Sequence, residues 1–308
     1  MIFNPDLLTG PHADRVADLI RFDPLFQKLP TQLFTFDNGK TPKGEKRGYL
    51  TAIMYLAPAR LSGYQMCPFA HLAQCEEPCL NTAGRGKFDN VQKARIRKTL
   101  MYHQFPNEFN ALLVSEMHRA QRKADRMGLT LVVRLNGTSD IAWENHTIIE
   151  SWHTFPNRDL KWKTDVYNGD DSLESITINR TTRKRSIPYD DPKQGKIKLP
   201  APWTIFDLFP TVQFYDYTKA PTRHKLPANY HLTFSYSGVD SYVPIVQKWR
   251  TKNKTQSLAV VFDKIPAGVI NGDDSDLRFL DPINTVIGLT AKGNAKNDAT
   301  GFVLRPGV

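Results

Sequence analysis

The stretch PNEFNALLVSEMHRAQRKADRMGLTLVVRLNGTSD, residues 106–140, decides the fold. Its first part predicts a helix from about Pro106 to Met127. Proline suits a first helical turn, where its missing N–H costs nothing, and Gly128 stands where helices commonly stop. Phe109, Leu112, Leu113, Met117, Ala120 and Ala124 recur at three- and four-residue steps and make one apolar stripe. The period then changes. Leu129-Thr130-Leu131-Val132-Val133-Arg134-Leu135 is apolar almost throughout, which reads as a buried strand. The polar run Asn136-Gly137-Thr138-Ser139-Asp140 ends it.

Working outward, the same alternation holds. Upstream, Gly48 to Pro58 reads as a buried strand stopped by proline, and Asn90 to His103 as a helix. Downstream, Thr211–Tyr217, Tyr230–Tyr236, Leu258–Phe262 and Thr285–Thr290 read as further strands. Apolar strands with helices between them indicate a parallel sheet with crossover helices. The fold class expected is α/β, a parallel β/α barrel-like domain of partial or irregular TIM type with a β-rich insertion. Residues 1–45 read as an irregular, proline-containing lead-in, with a short helix near Asp14 to Phe22. Residues 46–150 and 204–308 form the barrel-like domain. Residues 151–203 read as an inserted segment, with a hairpin signal at Asn168-Gly169-Asp170 and a basic run from Arg180 to Arg185.

Polar groups collect where these strands end, the edge on which a β/α barrel builds its site. Asp140 after the second strand, and Asp216 and Lys219 after the third, are candidate catalytic residues. Asp140 suits a base or a ligand contact; the structural alternative is a helix cap with Trp143 packed into the core. Asn136 and Ser139 share its loop, with Glu144 shortly after. Asp216 and Lys219 equally suit a surface ion pair. Asp273 to Asp276 lacks the spacing of a calcium loop and reads as a turn.

The chain has only three cysteines, and all fall in thirteen residues: Cys67, Cys75 and Cys79, spaced C-x7-C-x3-C. An odd count is a poor disulfide framework. Clustered thiolates suit one soft metal centre in a reducing compartment. Two centres compete: a [4Fe–4S] cluster on three thiolates, which leaves one iron without a cysteine, and a zinc ion with His71 as fourth ligand. Three buried thiols without metal are the third reading. The glycine-rich Asn81-Thr82-Ala83-Gly84-Arg85-Gly86 follows directly. It lacks the Gly-Lys-Ser/Thr ending of a P-loop, but its backbone N–H groups can wrap a cluster. Asn81, Gly84, Arg85, Gly86, Asn136 and Ser139 are therefore the candidate cofactor contacts. Arg85 and Arg95 can meet phosphate or stand solvated on a helix face.

The formal net charge of +10 draws polyanions by a sequence-independent route, so nucleic acid is a possible partner. There is no apolar run of membrane-spanning length. The start, Met1 to Asp6, has neither the basic region nor the apolar core of a signal peptide. A cytoplasmic protein is expected. Nothing in the sequence speaks to oligomeric state.

Lys43-Gly-Glu-Lys-Arg-Gly-Tyr49, Cys67-Pro68, the Cys75 to Gly86 block, Arg134-Leu-Asn-Gly-Thr-Ser-Asp-Ile-Ala-Trp-Glu144, Phe214-Tyr-Asp-Tyr-Thr-Lys219 and Arg278-Phe-Leu-Asp-Pro282 resemble the phage "gene product eighty-eight" family. The resemblance implies a phage or prophage origin, hence the cytoplasm of an infected or lysogenic bacterium. A second likeness is architectural. A cysteine loop after the first strand of a β/α barrel is similar to radical S-adenosylmethionine enzymes, which implies a [4Fe–4S] cluster and S-adenosylmethionine. This chain departs from the C-x3-C-x2-C spacing of that group. The function expected is a phage-encoded iron–sulfur protein, a redox or radical enzyme. The alternatives are a nucleic-acid-associated protein with a structural metal and a zinc-stabilised structural or interaction protein.

Overall fold

The computed structural model describes residues 2–36, 41–148, 161–167, 173–177, 203–223, 225–253 and 256–306. The decisive stretch folds as its pattern dictates. One helix, here α4, is Pro106–Met127, with Pro106 in its first turn. Gly128 adopts φ 64°, and its N–H donates to the carbonyls of Ala124 and Asp125, a left-handed stop that glycine takes without strain. The strand that follows is Thr130–Arg134.

In chain order the helices are α1 (Ala13–Phe22), α2 (Thr41–Glu45), α3 (Asp89–Gln104), α4, α5 (Ile205–Leu208) and α6 (Val243–Lys252). The strands are β1 (Phe34–Thr35), β2 (Tyr49–Met54), β3 (Thr130–Arg134), β4 (Lys161–Tyr167), β5 (Leu173–Thr177), β6 (Gln213–Thr218), β7 (Tyr230–Ser235), β8 (Leu258–Phe262), β9 (Ile270–Asn271) and β10 (Val286–Thr290). Eight of them form one sheet in the order β1-β2-β3-β6-β7-β8-β10-β9. All neighbours are parallel except β1, which runs antiparallel to β2. β4 and β5 pair antiparallel in a separate two-stranded sheet. The hairpin turn expected between them and the basic run Arg180 to Arg185 lie outside the described residues.

The expected barrel is corrected on closure: the sheet is open. β2, β3, β6, β7, β8 and β10 follow one another in sequence order, as in a barrel. The edges, however, are occupied by β1 and β9, of two residues each. β1 covers β2 and β9 covers β10, so the two ends do not pair. A full (β/α)8 barrel also needs a helix after each strand. Among the described residues the chain between β6 and β7, and from β8 to β10, has no α-helix. The lead-in also contributes more than an irregular approach. It supplies β1, anchored where Leu33 N and Phe34 N both donate to Glu116 Oε2 of α4 at 2.7 Å.

Alternate strand residues feed two cores. Leu50, Ala52, Met54, Leu131, Val133 and Phe214 join α4's Phe109, Leu113, Met117 and Ala120 in the main core. Val132 and Tyr215 face the other way, onto Leu277, with Tyr49 and Phe279 beside them. A third cluster joins Phe234 to Tyr242, Val246 and Trp249 around α6. Among the described residues no helix is long and apolar enough to cross a membrane.

Candidate functional site

The parallel strands place their C-terminal ends on one edge. There the chain leaving β2 is laced to the loop leaving β3. Gly137 N donates to Met54 O at 2.9 Å, and Thr138 Oγ1 donates to Leu56 O at 2.6 Å. The approach is so close that a Cβ at Gly137 would lie 2.6 Å from the Tyr55 ring and 2.7 Å from Met54 O. Asp140 N then donates to Met66 O at 2.9 Å, just before Cys67.

This lacing fixes the cysteine loop. Ala59 N donates to Cys67 Sγ at 3.3 Å, and Cys67 Sγ in turn to Thr138 O at 3.8 Å. Cys75 N donates to Ala70 O at 3.0 Å, closing a turn. Asn81 N donates to Cys79 Sγ at 3.5 Å. The far side of the loop is tied to the end of β7, with Ser237 Oγ donating to Ala73 O at 2.8 Å. All three cysteines are free, and each residue keeps part of its surface exposed. The thiols themselves are the desolvated part. Burial pushes Cys67 well above the usual thiol range, raises Cys75, and raises Cys79 to about 11. Cys67 feels both Cys79 and Cys75, and Cys79 feels Cys75, so the sulfurs lie within electrostatic reach of one another.

Buried charges surround them. Lys219 follows β6, and its Nζ donates to Ser235 O, Ser235 Oγ and Tyr236 O at 3.2, 3.0 and 3.2 Å. Burial lowers its pKa, opposed first by Cys75 and Asp140. Asp140 accepts from Lys219 N at 2.8 Å and from Arg223 Nη1 at 3.1 Å; its pKa is raised by burial and pulled back first by Arg223. Arg223 also grips both oxygens of Glu144, at 2.8 and 2.6 Å, and the Tyr230 hydroxyl at 2.9 Å. The Tyr230 hydroxyl donates to Asp216 Oδ2 at 2.9 Å, and Asn136 N donates to Asp216 Oδ1 at 2.9 Å. Burial pushes Asp216 up to about 6. A cleft of about 520 Å³ opens beside this network, with Met66, Phe69, Tyr102, His103, Asp140 and Arg223 on its walls. A larger hollow, about 620 Å³, lies against α6 and has neither cysteine nor carboxylate in its lining.

Cys67, Cys75, Cys79, Asp140 and Lys219 are thus brought together, while Asp216 sits behind them as the buried anchor of Tyr230. Asn136 and Ser139 spend their polar atoms on their own loop. Asn136 Oδ1 accepts from Ser139 Oγ, Ile141 N and Trp143 Nε1 at 2.9, 3.0 and 3.2 Å, and Trp143 is fully buried. The glycine-rich segment folds as two 3-10 turns, Leu80–Thr82 and Gly84–Lys87. Arg85 is exposed there. Arg95 is buried rather than solvated: Nη1 donates to Asn81 Oδ1, and its guanidinium lies 5.1 Å from the Tyr55 ring centroid. It also feels Cys79. His71 is exposed. Among the described residues no three His, Cys, Asp or Glu side chains stand close enough to hold a single metal ion. Sequence reasoning missed Arg223 and Asp276, the latter an ion-pair partner of Arg134 at 2.6 Å beneath the site. Only their positions just past strands hinted at either.

An open α/β sheet of serially ordered parallel strands, with a loop of three thiols and a network of buried charges at its C-terminal edge, defines the class. Within it the family model described as Gene product 88 matches residues 32–160 and 194–306, and the chain belongs to that phage family. No curated protein and no solved structure matches the chain, and radical S-adenosylmethionine enzymes are not among its matches.

Proposed function

We propose that this chain is a phage-encoded iron–sulfur protein that holds a [4Fe–4S] cluster on Cys67, Cys75 and Cys79 and works in redox chemistry. The observation that carries the reading is one loop holding the three free cysteines, tied down by Ala59 N donating to Cys67 Sγ, Asn81 N to Cys79 Sγ and Ser237 Oγ to Ala73 O, with burial raising all three thiols. The donor set suits the group. Metal coordination removes the thiol proton outright, which offsets the burial that otherwise keeps these groups neutral. Ala59 N and Asn81 N already donate to two of the sulfurs, and such hydrogen bonds tune a cluster's potential. Zinc is less well served. The fourth ligand that zinc would need, His71, is exposed.

When bound, the cluster supplies one-electron chemistry and one iron without a cysteine. The stagger of the sheet suits a mouth around it. Thr130 pairs with Tyr49, but Val132 with Gln213, Phe214 with Tyr230 and Phe234 with Leu258. Each step moves up the strand, as tilted barrel strands do, which supports reading the strand ends as one rim. In this reading Asp140, on the cleft wall, moves a proton or holds a substrate, and Arg223 fixes its orientation. The reducing cytoplasm of the bacterial host is the compartment that suits three free thiols.

The test is anaerobic purification with iron, sulfide and zinc analysis and an absorption spectrum. A brown protein with a broad band near about 400 nm is expected. Replacing Cys67, Cys75 or Cys79 singly by Ser should abolish it, and His71→Ala should leave it intact. Three single variants with full metal content would remove the reading. Stoichiometric zinc lost in His71→Ala would move it to a zinc-stabilised structural protein.

A further inference from the structure

We propose that the cleft beside the cysteine loop binds a nucleotide, its base stacked on the aromatic wall, its amino group on the carboxylates of Asp140 and Glu144, and its phosphate at the rim by Lys225. This names the substrate class for the cleft of the reading above, but it needs no cluster: every group it invokes is a side chain of this chain.

The cleft holds about 520 Å³, inside the range of roughly 300–1,000 Å³ where small-molecule sites fall. One wall is aromatic, lined by Phe69, Tyr102 and His103. His103 is set there as a platform. Tyr64 covers one face of its ring, with centroids 4.0 Å apart and planes at 13°, and Tyr102 meets it edge-on at 4.9 Å and 86°. Tyr102 packs in turn on Phe109 and Trp143, at 5.2 and 5.7 Å, both buried in the main core. His103 itself is exposed, so its uncovered surface stands in the cleft on a stack that packing has already ordered. A planar ring laid against it extends that stack, and aromatic pairs gain from such geometry beyond the area they bury.

The polar groups run in a definite order. The floor offers acceptors. It carries two carboxylates, Asp140 and Glu144, around one guanidinium, Arg223. Of that guanidinium's five N–H groups, four bonds are already spent, two on Glu144 and one each on Asp140 and Tyr230. Lys219 acts on Asp140 from behind, but its Nζ is spent on Ser235 and Tyr236 and it does not line the cleft. The two carboxylates have about eight lone-pair sites between them. They accept five donors: Lys219 N, the Thr218 side chain and Arg223 at Asp140, and Arg223 twice at Glu144. An amino group or ring N–H therefore finds acceptors at the floor, where an anion meets two carboxylates. The rim is the reverse. Gln65, Asn145, Thr222 and Lys225 are exposed there, and the charged group among them is a cation. Donors inside, a flat ring between and an anion outside describe a nucleotide with an amino-bearing base. The net charge of +10 favours an anionic ligand in the same sense.

Isothermal titration calorimetry of the full-length, anaerobically purified protein tests it. The probes are adenosine monophosphate, adenosine, ribose 5-phosphate, phenylalanine and a single-stranded oligoadenylate. Adenosine monophosphate or the oligoadenylate should bind with Kd below about 1 mM, and ribose 5-phosphate and phenylalanine at least about tenfold more weakly. Phe69→Ala and His103→Ala should each weaken binding at least about fivefold, the low end of what stacking one base contributes. Lys225→Ala should weaken adenosine monophosphate by about threefold, within the exposed-pair range, and leave adenosine unmoved. Gln247→Ala, beside the hollow against α6, should bind as wild type does. Adenosine monophosphate that binds by itself marks a free nucleotide as the ligand. An oligoadenylate that binds where the mononucleotide does not marks a base within a single strand, and the inference stands in both cases.

Binding of neither adenylate overturns the inference. So does binding that the folded variants Phe69→Ala and His103→Ala both leave unweakened, because the base then lies elsewhere. Ribose 5-phosphate or phenylalanine bound as tightly as the adenylate overturns it as well. If one of the two variants fails to fold by circular dichroism, the other decides. Should both fail, diethyl pyrocarbonate labelling of His103 in the wild type, read by mass spectrometry, decides: protection by the adenylate supports the site, and unchanged labelling overturns it. The iron–sulfur reading is scored separately, on the iron and sulfide of the same samples. Iron-loaded protein that binds no adenylate overturns this inference alone, and adenylate binding by a protein that takes up no iron overturns that reading alone.

Discussion

Arg223→Met tests the ionic network behind the thiols. The guanidinium makes contacts of 2.8 and 2.6 Å to Glu144, 3.1 Å to Asp140 and 2.9 Å to the Tyr230 hydroxyl. Its side chain is 4% exposed, against 10% for Asp140 and 8% for Glu144. Surface ion pairs of about 0–1 kcal/mol are thus the wrong comparison. Removing one partner of a buried pair costs about 3–5 kcal/mol, because the charge left behind is unpaired. Asp140 keeps the Lys219 N–H, while Glu144 loses both of its Arg223 contacts, so the whole of that range is expected. Urea unfolding at pH 7, with unchanged slope, measures it. The loss should be pH-dependent. Arg223 is the first influence holding Asp140 down against burial, so without it the folded carboxyl sits further above its unfolded value. A raised folded pKa means stability is lost as pH rises. The variant should therefore recover toward wild type on acidification from 7 toward about 4, the unfolded carboxylate range. Adding Asp140→Asn and Glu144→Gln should restore more than half of the deficit at pH 7. A loss below about 1 kcal/mol, the exposed-pair range, with no pH dependence, would refute the argument that these charges are buried.

Asp216, with its pKa raised from 3.8 to about 6, should cost stability as pH climbs through that interval. The cost is roughly 3 kcal/mol at 1.36 per unit. Asp216→Asn should flatten that part of the pH–stability curve. Gly137→Ala puts a Cβ 2.7 Å from Met54 O, where backbone must shift, and a loss of about 1–3 kcal/mol is expected from thermal unfolding. Finally, the +10 charge should give weak nucleic-acid binding at low salt, with a log–log salt slope of about −0.9 per duplex phosphate contacted. Fluorescence anisotropy on a labelled duplex and a single strand checks it, and no binding at low salt leaves the charge without that role.

The amino-acid order alone determined what depends on neighbours along the chain. The stripe from Phe109 to Ala124, the stop at Gly128 and the run Leu129 to Leu135 predict α4 and β3 because helix and strand periods are local properties. The spacing of Cys67, Cys75 and Cys79 placed the three thiols in one loop for the same reason, and the polar residues at strand ends marked Asp140 and Lys219. What the pattern left open is which distant groups meet. Whether a sheet closes depends on what lies at its edges, and β1 and β9, each too short to carry a period, occupy them. Arg95 reads as a solvated helix-face arginine because polarity is all the sequence records, yet α3 turns it onto Tyr55 and Asn81. Asp276 reads as part of a turn, yet it is buried against Arg134, 142 residues away in sequence. Arg223 has no motif at all. Its place between Asp140 and Glu144 follows from two loops meeting above a parallel sheet. Charge pairing and burial act through space, so only the tertiary structure decides which buried cations face the thiols.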